Sequence, residues 1–300
     1  MKSRSNIEIR RCRPLLGTLV EIGALGRNEV QVEGAINAAF ASVAKVHRLM
    51  SYYDPRSDVS HMNREAFPKS VIVHPWTWRV LDAAQQFARE SNGAFSVTIA
   101  PTLAGWRYLP RQRYRADATA TWRDIFLRKN CRVFFRRRLT VDLGGIAKGF
   151  AVDRAVEILK RNRVMAGIVN AGGDLRVFGS ASQLVHLRHP KQPNRAAGAV
   201  RLRERAIATS AIYFSRTKNR RRCVSPILDA RTGRAACELI SVTVGAADCM
   251  TADALTKVVF ALRGEAAPLL ARYSADALLL EQDGGTSWMF HPTCDTSRQT

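Results

Sequence analysis

The sequence lacks any membrane-length apolar run: nothing in its 300 residues approaches the ~18 uninterrupted apolar residues of a bilayer span. It also lacks closely spaced cysteines. Cys12, Cys131, Cys223, Cys237, Cys249 and Cys294 are scattered without a CxxC pair, so neither a zinc site nor a disulfide framework is expected, and a reducing compartment is the simpler reading. The basic N-terminus has no secretory core, because its first apolar run is broken by Gly17, Thr18 and Glu21. Cys12 follows Arg10 and Arg11 with no apolar stretch before it, which makes it a poor site for a lipid. A cytoplasmic location is therefore expected. Internal repeats, low-complexity tracts and Pro/Gly/Ser linkers are absent too, which argues for one compact unit.

Acidic residues are scarce. Asp and Glu number 25 against 47 Lys and Arg, a net charge of +22 at pH 7. Arginine is dense at 136–138 and 216–222, a field that would draw in polyanions, including dinucleotides and nucleic acid. Taken singly, each cluster is as well explained by solvated basic loops. No zinc-finger spacing, aromatic RNP-like strand or basic recognition helix accompanies them, so specific nucleic-acid binding is not expected. An apolar fraction of 46% suits a globular chain with a sizeable core.

Periodicity predicts mixed α and β structure. Residues 19–23 suit a strand, and 30–50 an amphipathic helix with Val32, Ile36, Ala39, Val43, Val46 and Met50 near helical spacing. A second helix is predicted over 76–91, closed by Asn92-Gly93. The Arg-rich stretch 107–138 suits a loop with short strands. A strand (139–143), a helix (147–161) and a strand (165–170) follow in βαβ rhythm. Short strands are then predicted at 184–188, 199–202, 206–210 and 240–245, a helix at 252–262, and a final helix and strand at 266–273 and 277–281. The polar tail after His291 is expected to fray.

Three segments can carry chemistry. In Asp142-Leu-Gly-Gly-Ile-Ala-Lys148 two glycines let the backbone approach a ligand, and the helix start beyond them suits phosphate. Lys148 can reach the same oxygens, while Asp142 can accept from a ribityl or ribose hydroxyl; the plain alternative is a glycine turn with a surface lysine. The second is Asn170-Ala-Gly-Gly-Asp174, another tight turn, where Asp174 either orients a neighbour or caps the turn. In the third, Ala252, Leu255, Val259 and Leu262 form a buried stripe, leaving Asp253, Thr256 and Lys257 together on the opposite face. Such oxygens suit a hard divalent cation shared with substrate phosphates. The alternative is an ordinary Asp–Lys surface pair.

The order of these segments resembles one family over residues 13–282. Pro14-Leu-Leu-Gly-Thr-Leu-Val-Glu-Ile22 is similar to its N-terminal Met-Gly-Thr strand, and residues 50–63 to its flavin-side loop. Gly93-Ala-Phe-Ser-Val-Thr98, the 142–153 turn, Gly172-Gly173-Asp174, Ala208-Thr-Ser210, Asp229-Ala-Arg-Thr-Gly233 and Ala252-Asp-Ala-Leu255 follow in the family's order. The family is that of the FAD:protein FMN transferases, called ApbE. The resemblance implies an α+β fold of two T-fold-like halves forming one unit, with residues 1–12 and 283–300 as flexible tails. It implies FAD as substrate, Mg²⁺ at the pyrophosphate, and transfer of FMN to a Ser or Thr hydroxyl of an acceptor protein with release of AMP. By matching position, Leu16, Tyr53, Ala94, Phe95, Ser96, Asp142, Lys148, Ile227 and Lys257 would contact FAD. Gly145, through its carbonyl, Asp253 and Thr256 would hold the metal.

This chain departs from the family at four site positions in three motifs. Ser96 stands where Asp is usual. Pro226 stands where the family has His, and Ala230 where that motif has Pro; a proline cannot move a proton. Lys257 stands where a metal-binding Thr is expected, and a protonated lysine has no lone pair for a cation. Either Mg²⁺ binds through the remaining oxygens, or the ammonium partly substitutes for it. No catalytic residue is assigned, and a flavin carrier, scavenger or sensor without transfer is the alternative reading.

Overall fold

Residues 6–180, 182–188, 196–212, 217–219, 222–237, 239–282 and 285–289 are described by a computed structural model. Strands β1 (Ile7–Leu15) and β2 (Thr18–Gly26) form a hairpin, followed by helices α1 (Glu29–Met50) and α2 (Asp58–Glu65). Next come β3 (Val71–Ile72), α3 (Pro75–Glu90), α4 (Ala100–Gly105), β4 (Ile125–Arg128), β5 (Arg132–Phe135) and α5 (Ala147–Arg161). The hairpin β6 (Ala166–Ala171) and β7 (Asp174–Gly179) is followed by β8 (Gln183–Arg188), β9 (Ala196–Leu202) and β10 (Ala206–Ala211). Short strands β11 (Thr217–Asn219), β12 (Arg222–Val224), β13 (Leu228–Asp229) and β14 (Arg234–Ala235) lead to β15 (Leu239–Ala246). Helices α6 (Cys249–Leu262) and α7 (Ala267–Arg272) and strands β16 (Asp276–Glu281) and β17 (Thr286–Met289) complete the described chain.

Eight strands make one sheet in the order β1-β2-β6-β7-β10-β15-β16-β17. It divides into two similar halves, β1-β2-helices-β6-β7 and β10-β15-helices-β16-β17, joined where Ala206 and Ile207 of β10 pair with Arg176 and Leu175 of β7. This is the α+β arrangement of two T-fold-like halves. Every pairing in the sheet is antiparallel, which corrects the βαβ rhythm: the helices link hairpins rather than parallel strands. Helices α1, α5 and α6 cover one face, with α6 packed on β10 and β15. The β8–β9 ribbon closes the other through Val185, Leu187, Val200 and Leu202 against Val177 and Ile207.

Local chemistry explains the helix ends. Asn28 caps α1 by accepting from Gln31 N at 2.9 Å, and Val32, Ile36, Ala39, Val43, Val46 and Met50 are all buried at the predicted spacing. Asp248 caps α6 by accepting from Thr251 N at 2.8 Å. Several expectations need correction. Residues 139–143 are not a strand: Val141 donates to the Asn63 side chain (2.7 Å) and Asp142 to the Val97 carbonyl (2.9 Å), so no neighbouring strand takes these amides. The expected tails are partly structural, since Ile7 onward pairs with β2 and Thr286–Met289 with β16. The rest of the tail, including residues after His291, lies outside the described residues, as does part of the 216–222 basic cluster. Cys237 is disulfide-bonded, against the expectation of none; spacing along a chain does not reveal which cysteines meet in the fold. Among the described residues no helix is long and apolar enough to cross a membrane.

Candidate functional site

The first turns of α5 and α6 meet at Gly149. A Cβ there would overlap the carbonyl of Cys249, so the close approach depends on glycine. Each helix supplies a carboxylate to the other's unpartnered amides. Asp153 of α5 accepts from Cys249 N (2.9 Å) and Met250 N (2.8 Å), and Asp253 of α6 accepts from Gly149 N (3.0 Å). Helix N-termini favour negative charge in these places. Burial pushes the Asp153 carboxyl up to about 6, against the pull of Arg176 and the two amides.

Around this crossing lie two lysine–aspartate pairs. Lys148 pairs with Asp174, whose side chain is 1% exposed, and Lys257 pairs with Asp253, which is fully buried. Lys257 Nζ also donates to the main-chain oxygen of Asp253 at 3.0 Å. Thr256 Oγ1 donates to that same oxygen (2.7 Å) and accepts from Ser210 Oγ (2.7 Å). Burial would lower the Lys148 ammonium, but Asp174 and Asp253 outweigh it and its pKa is raised. Burial raises the Asp174 carboxyl despite Lys148, whereas at Asp253 the two lysines overcome burial and lower it. The alternative of an ordinary Asp–Lys surface pair is therefore ruled out. Asp253 and Thr256 are both at 0% exposure, because that side of α6 packs on α5 and β10.

A divalent cation does not fit these residues as they stand. Both Asp253 oxygens are engaged, one by the Lys257 ammonium and one by the Gly149 amide. Asp174 is held by Lys148, and the described residues contain no group of three His, Cys, Asp or Glu side chains that could hold a metal ion. The pairs sum to zero charge, so an added dication would leave buried positive charge uncompensated.

The glycine turn connects this cluster to a cleft. Asp142 Oδ1 accepts from Gly144 N at 3.1 Å, a turn-capping contact, and burial raises its carboxyl. A Cβ built on Gly145 would lie 3.5 Å from Phe95 Cε2 and 3.8 Å from Lys257 Cε, so these three residues meet. Phe95 leads into Ser96, which binds Thr98 through its hydroxyl (2.8 Å) and lines a cleft of about 1150 Å³ with Tyr52, Thr98 and Thr140. The cleft's outer wall carries Arg111, Arg113 and Arg115, exposed and without an ion pair among the described residues.

The remaining predicted residues divide. Ala94 accepts from Ala230 N at 3.1 Å at the cleft edge, and buried Ile227 follows Pro226, its amide held by Ser225 Oγ at 3.0 Å. Leu16 and Tyr53 stand apart from the cluster, at the C-terminal end of α1. Leu16 occupies the left-handed region (φ 56°) of the β1–β2 turn and donates to His47 Nδ1 at 3.4 Å. Tyr53 is 67% exposed, with its hydroxyl on the Tyr108 carbonyl at 3.2 Å. Sequence reasoning missed Asp174 as the partner of Lys148: it opens β7 after a hairpin turn, and no local spacing links it to a lysine 26 residues earlier. It also missed the arginines of residues 111–115, whose composition was visible but whose place at the lining of a cleft was not.

Comparison with known proteins places these features. The model of the ApbE family matches residues 16–279. The chain is 26% identical over 265 residues to the FAD:protein FMN transferase of Klebsiella pneumoniae (strain 342), covering 84% of this chain and 83% of that one. It is 26% identical over 311 residues to that of Treponema pallidum (strain Nichols), covering 92% and 85%. Among solved structures, the ApbE protein of Thermotoga maritima superposes with a TM-score of 0.83 at 27% identity, covering 94% of this chain and 96% of that one. The apo flavinyl transferase ApbE of Pseudomonas stutzeri, at 21% identity, shares the fold with a TM-score of 0.81 over 96% of both chains.

Proposed function

This chain belongs to the ApbE family, and from that premise we propose that it transfers the FMN half of FAD to a Ser or Thr hydroxyl of an acceptor protein. The hydroxyl oxygen attacks the FMN-side phosphorus. The bond from that phosphorus to the bridging oxygen breaks, AMP leaves with the bridging oxygen, and the hydroxyl proton passes to solvent. In such transfers the protein contributes mainly positioning and charge.

The observation that best supports this reading is the Phe95–Ser96 step, which joins the cleft wall to Gly145 and Lys257. FAD seated in the cleft has Ser96, Leu228 and Ala230 on its wall, with Ala94 and Ile227 next to them in the backbone and the 142–148 turn reached behind Phe95. There Lys148 keeps N–H donors beyond the one on Asp174, and Asp142 offers a carboxyl to a sugar hydroxyl. Leu16 and Tyr53 are assigned to the flavin side, where the strained φ of Leu16 is a feature that functional positions often retain. The transferring unit is assigned to residues 13–282. A cytoplasmic location is kept from the N-terminus, which has no secretory core or lipid-bearing cysteine, while the disulfide at Cys237 is a bond that oxidising compartments favour.

Purified protein mixed with FAD and a Ser/Thr acceptor peptide tests the proposal by AMP release and flavin fluorescence on the peptide. AMP release that depends on the acceptor is expected. FAD binding without AMP release, across acceptors, would sink transfer and leave a flavin carrier, scavenger or sensor; Pro226, which cannot take a proton, is the feature on that side.

A further inference from the structure

We propose that the ammonium of Lys257 occupies the place of a divalent cation, so that this chain binds the FAD diphosphate through two lysines and without a metal. The inference rests on the FMN-transfer reading and concerns what its site uses for charge. It starts from donor counts. An ammonium has three N–H donors. Lys257 uses two of them on Asp253, one on the carboxylate and one on the main-chain oxygen, which leaves one. Lys148 uses one on Asp174, which leaves two.

The lysines are the more open members of their pairs. The side chains of Lys257 and Lys148 are 18% and 34% exposed, whereas those of their aspartate partners are 0% and 1% exposed. Lys257 runs alongside Gly145, where a Cβ would stand 3.8 Å from its Cε, so it borders the backbone turn that a phosphate would approach. Gly145 leaves that approach clear of a side chain.

The oxygens that would ligate a cation are committed elsewhere. Asp253 is divided between Lys257 and the α5 amide of Gly149, and is thus a tether for the ammonium and a helix cap at once. Thr256 is engaged by Ser210 and the Asp253 carbonyl. Two lysines and two aspartates balance, and a bound diphosphate diester adds negative charge next to the two partly exposed lysines. A dication would have to displace Lys257 from its partner and leave it in a buried, positively charged site.

Two measurements at fixed ionic strength test this: FAD binding by flavin fluorescence in EDTA and in Mg²⁺, and Mn²⁺ binding by electron paramagnetic resonance. Fixed ionic strength matters because a chain of charge +22 responds to salt. For the wild type we expect the same FAD affinity in EDTA and Mg²⁺, within about twofold, and no tight Mn²⁺ site with or without FAD. Lys257→Thr should lose about tenfold in FAD affinity in EDTA, recover it in Mg²⁺ and acquire a Mn²⁺ signal. Lys257→Arg, which keeps the charge and cannot ligate, should remain indifferent to metal. A wild type that needs Mg²⁺ for FAD, or that binds Mn²⁺ as Lys257→Thr does, overturns the proposal. So does a folded Lys257→Thr whose FAD affinity is unchanged in EDTA. If Lys257→Thr does not fold, the wild type and Lys257→Arg still decide. If FAD binds to none of the proteins, the FMN-transfer reading fails, and the Mn²⁺ comparison still reports whether Lys257 excludes a cation.

Discussion

Two regions concentrate positive charge near the same cleft and treat it in opposite ways. At the α5–α6 crossing each lysine is matched by a buried aspartate, and the carboxylates also cap helices or open strands. On the outer wall Arg111, Arg113 and Arg115 stand exposed without an acidic partner among the described residues. Charge in the first region is part of the fold's energetics, and removing it uncovers a buried opposite charge. Charge in the second has no such structural partner among the described residues. Arg136–Arg138 clarify the contrast: Arg136 pairs with Asp124 at 2.8 Å, Arg137 with Asp117 at 3.3 Å, and Arg138 stacks over Phe67 and Tyr114. Density of arginine in sequence therefore does not separate a structural cluster from a binding one; the presence of partners does.

The comparison breaks most visibly at Lys148. Lys148→Met leaves Asp174 as an unpaired carboxylate at 1% exposure, and losing one partner of a buried ion pair costs about 3–5 kcal/mol. The pH dependence has a definite sign. In the wild type the raised Lys148 pKa gives a contribution present throughout the neutral range and lost only as pH rises through the lysine's folded value. In the variant Asp174, already raised by burial, rises further. Its contribution is full below the unfolded carboxyl value of roughly 4 and declines as pH climbs through the folded value. Urea denaturation at pH 5 and pH 8 should show the variant more stable at the lower pH. A loss under ~1 kcal/mol with no change in slope would mean that the pair is an exposed one.

A smaller loss is expected at Gly149, which tests whether the cluster depends on the helix crossing. Gly149→Ala would drive a Cβ into the Cys249 carbonyl and separate the helices, and overpacking of this kind costs about 1–3 kcal/mol. The shift would also pull Asp253 from the Gly149 amide and Asp153 from the amides of Cys249 and Met250. Hydrogen exchange at those three amides should accelerate beyond the global change in stability. Unchanged protection would show that the crossing is more tolerant than its geometry implies.

Much of this was legible from residues alone, and the limits have physical reasons. Helix α1 followed from Val32 through Met50 because a one-sided helix writes its burial at 3.6-residue spacing. That reasoning was incomplete for α6, where the stripe of Ala252, Leu255 and Val259 is buried but the face of Asp253 and Thr256 packs too, so spacing alone left a metal site and a surface pair both open. The 139–143 segment has strand composition but no strand partner, since Asn63 and Val97 take its amides. Motif order carried the family, and with it the positions of Gly145, Phe95 and Lys257, which do meet. Asp174 and the cap role of Asp253 could not be read, because both depend on which helix start faces which, a long-range fact that local spacing does not record.

The least disruptive change sharpens the comparison from the other side. Replacing Arg111, Arg113 and Arg115 together by Gln removes three charges from an exposed wall where no described residue pairs with them. Surface substitutions free of partners alter stability by no more than about 0.5 kcal/mol, so the melting curve should hardly move. Binding should respond, because each screened charge near an anionic ligand contributes a few tenths of a kcal/mol, and three together amount to roughly tenfold in FAD affinity. The contribution is one of exposed charges, so it should fade as salt rises and the Debye length falls below about 10 Å. Flavin fluorescence titrations from low to high salt would show the wild type losing affinity steeply and the triple variant much less, the two converging at high salt. Equal affinities at low salt would show that these arginines do not see the flavin nucleotide. A stability loss above ~1 kcal/mol would instead place them with Lys148 and Lys257 among the charges the fold itself requires.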